Sequence, residues 1–211
     1  DNALAVSRGL VEMGLKQAET VAIMLPTSPE FFYAFFGVLF AGGIPVPIYP
    51  PVRLNQIEEY ARREALILRN AEVRVLITFD KAEGLSKLLA TFIPSLIDIA
   101  TVDSLRHSQF KFPKLTLTKD DPALIQYTSG STGNPKGVLL THQNLLANIR
   151  AYGAAIDIQP TDVIVSWLPL YHDMGLIGTW FGSLYYGIPV VIMSPMTFLT
   201  RPERWLWTIH Y

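Results

Sequence analysis

Short apolar segments alternate with amphipathic segments through the first half of the chain, and this alternation constrains the fold more than any other feature. The apolar segments have the length and β-branched content of buried strands, and those between them have the 3.6-residue periodicity of helices. The predicted helices are 1–13, 29–41, one beginning at Asn55, and 82–92, and the predicted strands are 20–25, 44–48, 73–78 and 99–102. Helices between successive strands favour parallel pairing, so the sequence predicts an α/β fold with largely parallel, doubly wound sheets and flanking helices.

The composition of the chain excludes several classes of protein. Its 17 Lys and Arg residues balance 18 Asp and Glu residues without a basic stripe, so we expect no nucleic-acid partner. The absence of cysteine excludes disulfides and thiolate metal sites, and it is compatible with the cytoplasm, where we expect the protein. His107 and His210 have no partner at metal-ligand spacing, so we expect no metal held by the protein itself.

Two uncharged runs, 31–48 and 174–200, are long enough to be candidates for membrane spans. Each run contains a central Gly-x-Pro sequence, beginning at Gly43 in the first and at Gly187 in the second. Because glycine and proline interrupt regular structure, we interpret each run as a buried helix, a turn and a strand. A membrane-associated structural protein is the alternative, and it predicts solubility that depends on detergent.

A polar connection at 109–121 contains three lysines and Pro113, and it suggests sublobes 1–108 and 122–211. Both ends of the sequence look like cuts through a longer chain. Asp1 runs directly into an amphipathic pattern, and 200–203 has the Thr-x-x-Glu form of a capping box that opens a helix close to the last residue. We therefore expect a piece of a longer protein.

The segment 123–142 predicts a loop that binds phosphate. Two β-prone runs, 123–127 and 138–140, flank a loop rich in Gly, Ser and Thr with one lysine. Small residues let backbone N–H groups approach an anion, hydroxyl groups add donors, and the lysine adds positive charge. The candidate phosphate-binding residues are Thr128, Ser129, Gly130, Ser131, Thr132, Gly133 and Lys136.

The Gly/Ser/Thr loop has two other interpretations. Gly130 to Lys136 has the glycine-to-lysine spacing of a Walker A loop, but Pro135 replaces the second glycine and Gly137 replaces the Mg²⁺-binding Ser or Thr. A Walker A lysine also opens a helix, whereas a strand is predicted after Lys136. A merely structural hairpin needs only two to five turn residues, and this loop is longer.

A second group of polar residues follows the predicted strand 163–167. His172 and Asp173 lie just past the end of that strand and open an apolar helix. In open α/β sheets, ligands bind outside the carboxyl ends of the strands, so this pair is a candidate substrate site. The structural alternative is a hydrogen-bonded pair that only caps the helix.

At these motifs the chain resembles the adenylate-forming enzymes, also called acyl-activating or AMP-binding enzymes. The residues YTSGSTGNPKG, Tyr127 to Gly137, resemble the family signature YTSGTTGxPKG, with Ser131 in place of the middle threonine. The residues LPLYHDMGL, 168–176, resemble the histidine motif of the fatty-acid-activating branch. The resemblance to fatty acyl-AMP ligases and long-chain acyl-CoA synthetases extends to VPIYPP at 46–51 and MSPMTFLTRPERWLW at 193–207.

This resemblance implies ATP-dependent activation of a fatty acid to an acyl adenylate, with Mg²⁺ bound by the substrate. It implies catalytic roles for Lys136 and His172, with His172 and Asp173 at the fatty-acid carboxylate. The acyl group would pass to an acyl-carrier protein or, alternatively, to CoA. A non-catalytic module that binds ATP or acyl groups is the alternative of another class.

The resemblance also makes residues 1–211 a partial N-terminal domain. The family's adenine segment, ribose-binding aspartate, hinge and C-terminal lysine are absent from this sequence, as is the C-terminal domain. We therefore expect a monomeric fragment that is inactive by itself.

Overall fold

The computed structural model describes residues 1–51, 57–111, 115–128 and 135–210, which form two compact units, Asp1–Thr141 and His142–Tyr211. The elements of the first unit are α1 Asn2–Glu12, β1 Thr20–Ile23, α2 Pro29–Phe40, β2 Ile44–Pro47, α3 Ile57–Asn70, β3 Val75–Thr78, a 3₁₀ turn Asp80–Ala82, α4 Glu83–Ala90, β4 Asp98–Thr101, α5 Val102–Leu105, β5 Pro122–Thr128 and β6 Lys136–Thr141. Those of the second unit are α6 His142–Ala155, β7 Ile164–Ser166, a π-helix Met174–Phe181, α7 Gly182–Tyr186, β8 Val190–Ile192, α8 Pro195–Thr200 and α9 Glu203–His210.

The first unit contains a four-stranded parallel sheet with the order β2-β1-β3-β4. Val21 of β1 pairs with Pro45 of β2 on one side and with Val75 of β3 on the other. The chain thus steps outward from β1 to β2 and then crosses to β3 on the opposite side. Right-handed crossovers in opposite directions place α2 and α3 on opposite faces of the sheet. The predicted doubly wound α/β fold is confirmed.

Every residue of β1, β2 and β3 except the first residue of β1 is buried, because helices cover both faces of these strands. On one face, Ala22 and Met24 belong to the same core as Ile67 and Leu68 of α3. Glu64 of α3 is also fully buried, and its carboxylate oxygens have no hydrogen-bond partner within the described part of the chain. Burial raises the pKa of Glu64 to about 8, although Arg63 acts in the opposite direction.

Both long apolar runs contain the predicted helix, turn and strand, and the second run also contains α8 after its strand, which was not predicted. The first run forms α2 and β2 with Gly42 at φ 78° between them. The second run forms the π-helix, α7 and β8, and Gly187 ends α7 in the left-handed conformation at φ 67°, which glycine adopts without steric cost. None of the helices in the described ranges is long and apolar enough to cross a membrane.

The strands β5 and β6 form an antiparallel pair in the first unit, and β5 packs beside β2. Because of this packing, the division between the two units follows Thr141. The described parts of the connection 109–121 belong to the first unit, and its Pro113 lies outside the described residues, as does Asn55. The proposed sublobes 1–108 and 122–211 stay a prediction.

The second unit contains a parallel pair, β7 and β8, with α9 packed against β7. The indole of Trp205 in α9 donates to the Val165 carbonyl at 2.9 Å. The predicted capping box at 200–203 is wrong, because Thr200 is the last residue of α8. Its hydroxyl donates to the carbonyls of Met196 and Thr197, at 2.8 and 3.2 Å, so it binds its own helix.

Candidate functional site

The antiparallel pairing of β5 and β6 places Thr128 directly opposite Lys136. Directly opposed residues in such a pair project from the same face of the sheet, with Cβ atoms about 5 Å apart. Both residues are exposed, and within the described part of the chain Lys136 has no carboxylate at ion-pair distance. A hydroxyl donor and an uncompensated ammonium group therefore lie side by side where the loop begins and ends.

The other predicted phosphate-binding residues lie outside the described residues: Ser129, Gly130, Ser131, Thr132 and Gly133. The strands on either side nevertheless distinguish between the two phosphate-loop interpretations. Lys136 begins a strand that returns antiparallel to β5, whereas a Walker A lysine opens a helix. The Walker A interpretation is therefore wrong for this chain.

Tyr127 stabilises the hairpin formed by β5 and β6, a role that the sequence analysis did not predict. Its hydroxyl donates to Asn70 Oδ1 of α3 at 2.5 Å, which links β5 to the sheet-covering helix. Its ring packs on Gly137, its cross-strand partner, where a Cβ atom would lie 3.0 Å from the ring. Burial raises the pKa of Tyr127, so its hydroxyl keeps its proton. A tyrosine directly opposite a glycine was the available signal.

The second candidate site contains His172 and Asp173 in the second unit. His172 Nδ1 lies 2.5 Å from Asp173 Oδ1, and the same carboxylate oxygen accepts a 2.8 Å hydrogen bond from the Met174 N–H. Asp173 thus caps the following helix and also orients the imidazole. Because Nδ1 contacts Asp173, Nε2 is the ring nitrogen available to a ligand. Both side chains are about 60% exposed (64% and 60%), so a ligand can reach them.

The helix after Asp173 is a π-helix over Met174–Phe181, where the sequence predicted a helix without specifying its type. Such wide turns are rare and are frequently found at functional sites. Gly175 in its first turn lies so close to the preceding loop that a Cβ atom would be 2.2 Å from the Pro169 carbonyl oxygen. Only glycine permits this approach, which fixes the loop leading to His172 against the helix.

The structure therefore describes two of the predicted phosphate-loop residues, Thr128 and Lys136, and places them together. It also brings His172 and Asp173 together. The two sets belong to different units, Asp1–Thr141 and His142–Tyr211. Each set is exposed and contains one nitrogen-bearing side chain, Lys136 in the first and His172 in the second.

Comparisons with known proteins connect these sites to a family. The profile of a family described as AMP-binding enzyme matches residues 1–211. A medium-chain-fatty-acid–[acyl-carrier-protein] ligase, JamA, from Moorena producens (strain JHB) is 37% identical over 90% of this chain and 33% of its own length. A putative acyl-CoA synthetase from Caulobacter vibrioides (strain NA1000 / CB15N) is 33% identical over 98% of this chain and 36% of its own length.

Solved structures give the same result for the fold. The fatty acyl-adenylate ligase from L. pneumophila, in complex with acyl adenylate and pyrophosphate, superposes with a TM-score of 0.84 and is 34% identical. The similarity covers 99% of this chain and 36% of that structure. This chain thus spans about a third of the length of the curated relatives (33% and 36%).

Proposed function

The chain belongs to the AMP-binding enzyme family, and from this premise we propose that the whole protein activates a fatty acid with ATP. A carboxylate oxygen of the fatty acid attacks the α-phosphorus of ATP, and the bond from that phosphorus to the oxygen bridging to the β-phosphate breaks. The products are an acyl adenylate and pyrophosphate. The observation that carries the proposal is the hairpin that places Thr128 opposite Lys136 at the ends of a Gly/Ser/Thr loop.

Lys136 is assigned to the phosphates of ATP. The reaction brings an anionic carboxylate to an anionic phosphate, so the site must reduce charge repulsion and hold the attacking oxygen in line. The ammonium group of Lys136 neutralises the negative charge that builds up on the departing pyrophosphate. The Thr128 hydroxyl, on the same face of the hairpin, donates to a phosphate oxygen. Mg²⁺, bound with ATP, would supply further neutralisation of the phosphate charge.

His172 is assigned to the fatty-acid carboxylate. Its Nδ1 pairs with Asp173, so Nε2 is the atom available to the substrate. An N–H at Nε2 would donate to a carboxylate oxygen of the fatty acid, while Asp173 holds the ring through Nδ1. The π-helix follows His172 and Asp173 directly in sequence, and it contains the buried apolar residues Leu176, Ile177 and Trp180.

The acceptor of the acyl group is proposed to be an acyl-carrier protein, because the Moorena relative is named as a ligase for that partner. CoA is the second candidate, since the Caulobacter relative is named as a putative acyl-CoA synthetase. The superposed L. pneumophila ligase holds acyl adenylate and pyrophosphate, which supports the proposed products. A monomeric state and a cytoplasmic location stay predictions from the sequence.

Exchange of labelled pyrophosphate into ATP tests this function on the full-length protein. We expect exchange that depends on a fatty acid, followed by transfer of the acyl group to a carrier protein and no thioester with CoA. Formation of acyl-CoA would replace the carrier protein by CoA in the proposal. ATP binding without exchange at any chain length would contradict catalysis and favour the non-catalytic module.

A further inference from the structure

The π-helix Met174–Phe181 is held from outside by a tyrosine of α6. The Tyr152 hydroxyl donates to the Gly178 carbonyl at 2.7 Å. The N–H of Gly182, the first residue of α7, bonds to the Ile177 carbonyl five residues back and to the Thr179 carbonyl three residues back. The Gly178 carbonyl lies between these two acceptors in sequence. The Tyr152 hydroxyl therefore supplies a donor to it at the point where the π-helix ends.

The helices α6 and α7 pack closely because a tyrosine of each helix lies against a glycine of the other. A Cβ atom on Gly182 would lie 1.5 Å from the Tyr152 hydroxyl oxygen, so no larger residue leaves room for this ring. In return, Gly153 of α6 lies under Tyr186 of α7, where a Cβ atom would be 2.2 Å from the hydroxyl oxygen. Burial, and then the nearby Tyr186, raise the pKa of Tyr152, so its hydroxyl keeps the proton that it donates.

We propose that Tyr152 is a positioning residue for the fatty-acid carboxylate and acts through the π-helix on His172 and Asp173; this inference rests on the proposed function. The Asp173 side chain accepts from the Met174 N–H at the start of the π-helix, and the His172 carbonyl accepts from the Leu176 N–H, four residues on, at 2.8 Å. Both residues are therefore hydrogen-bonded directly to the first residues of the π-helix. A return to 3.6 residues per turn would rotate the first residues of the segment relative to its last ones. The Tyr152 hydroxyl opposes that rotation.

The test compares Tyr152→Phe with Tyr185→Phe in the full-length protein. Tyr185 offers a matched control, because its hydroxyl accepts from Arg150 Nε at 2.9 Å and its side chain is 43% exposed. Each substitution removes only one hydroxyl oxygen, from α6 in Tyr152→Phe and from α7 in Tyr185→Phe, so neither is expected to prevent folding. We measure backbone hydrogen exchange over residues 174–182 and the KM values for a fatty acid and for ATP in pyrophosphate exchange.

For Tyr152→Phe we expect hydrogen exchange over 174–182 to be about tenfold faster and the KM for fatty acid to rise about fivefold, as for loss of one hydrogen bond. The KM for ATP should stay within about twofold, and Tyr185→Phe should change neither measurement. Unchanged exchange over 174–182 would overturn the proposal. So would faster exchange with unchanged kinetic constants, because Tyr152 would then be merely structural. A parent protein without fatty-acid-dependent activity would overturn both the proposed function and the positioning role. Hydrogen exchange over 174–182 would still show whether Tyr152 stabilises the π-helix.

Discussion

The two candidate sites are held in place by different kinds of structure. Lys136 lies on a strand, and its position relative to Thr128 is fixed by the backbone hydrogen bonds of an antiparallel pair. His172 lies before a π-helix, and its position depends on side-chain contacts and on glycines that allow close packing. A strand pair fixes its register through many equivalent bonds, whereas the second site depends on a few specific ones.

This difference indicates how each site should respond to substitution. Apart from Tyr127, Thr128 and Gly137, single positions of the hairpin should tolerate substitution as long as the charge of Lys136 is kept. The second site should respond to small changes that leave His172 and Asp173 themselves intact. Variants of the full-length protein test this contrast, and they follow in order of their expected effect on turnover.

Lys136→Ala should lower the turnover of fatty-acid adenylation about 100-fold or more, the scale for losing one preorganised charge-stabilising donor. Lys136→Arg keeps the charge at the end of the β-strand and should recover part of that loss. Lys119→Ala removes an exposed lysine from the same unit and provides the control. Steady-state pyrophosphate exchange measures all three. An unchanged rate for Lys136→Ala would remove Lys136 from the mechanism.

Gly175→Ala should destabilise the loop before His172, because the new Cβ atom would meet the Pro169 carbonyl at 2.2 Å. We expect the free energy of unfolding to fall by about 1–3 kcal/mol, as for other overpacked positions, with a loss of activity at saturating ATP. Gly178→Ala is a matched control on the same π-helix, since its Cβ atom would have no neighbour within 4 Å. Denaturant unfolding of both variants checks this, and equal stabilities would argue against a close approach at Gly175.

His172→Ala should raise the KM for fatty acid about tenfold, which corresponds to one charge-assisted hydrogen bond of about 1.5 kcal/mol. The KM for ATP should hardly change, because ATP is assigned to Lys136 and Thr128. His107→Ala removes an exposed histidine of the first unit and should leave both values unchanged. If His172→Ala weakened ATP and fatty acid equally, the two sites could not have separate substrates.

Glu64→Gln should leave turnover unchanged, because Glu64 is buried in the α3 core and belongs to neither site. It should change the pH dependence of stability. Burial raises the folded-state pKa from 4.5 to about 8, so the folded state keeps a proton that the unfolded state releases. Stability is therefore greatest below the unfolded pKa and falls as the pH rises toward about 8.

Thermal unfolding from about pH 5 to about pH 8 measures this effect. The Tm of the parent should fall more over that range than the Tm of Glu64→Gln, whose side chain does not ionise. Glu59→Gln changes an exposed carboxylate on the same helix and should follow the parent. Parallel curves for the parent and Glu64→Gln would show that Glu64 is not held neutral.

The sequence predicted those parts of the molecule that depend on local pattern. Buried strands of a parallel sheet are apolar throughout, so β1, β2 and β3 stood out from the amphipathic helices between them. Lys136 was predicted in the loop with a returning strand at 138–140; the strand does return antiparallel to β5, but it begins two residues earlier, at Lys136 itself. The position of Asp173 at the start of a helix was also predicted, and its side chain does accept from the Met174 N–H.

Features that depend on packing could not be predicted in this way. Eight mostly apolar residues do not distinguish a π-helix from an α-helix, because either period buries them. Glu64 lies in a charged segment, so its burial depends on how α3 sits on the sheet. Thr200 fits a capping box by spacing, but its hydroxyl is taken by the carbonyls of its own helix.

Mass spectrometry of the full-length protein incubated with ATP and a fatty acid, without any acyl acceptor, tests the central claim most directly. The account predicts a fatty acyl adenylate and an equal amount of pyrophosphate, with the adenylate reduced about 100-fold in Lys136→Ala. Hydrolysis of ATP to ADP and phosphate, or no acyl adenylate with any fatty acid, would contradict it.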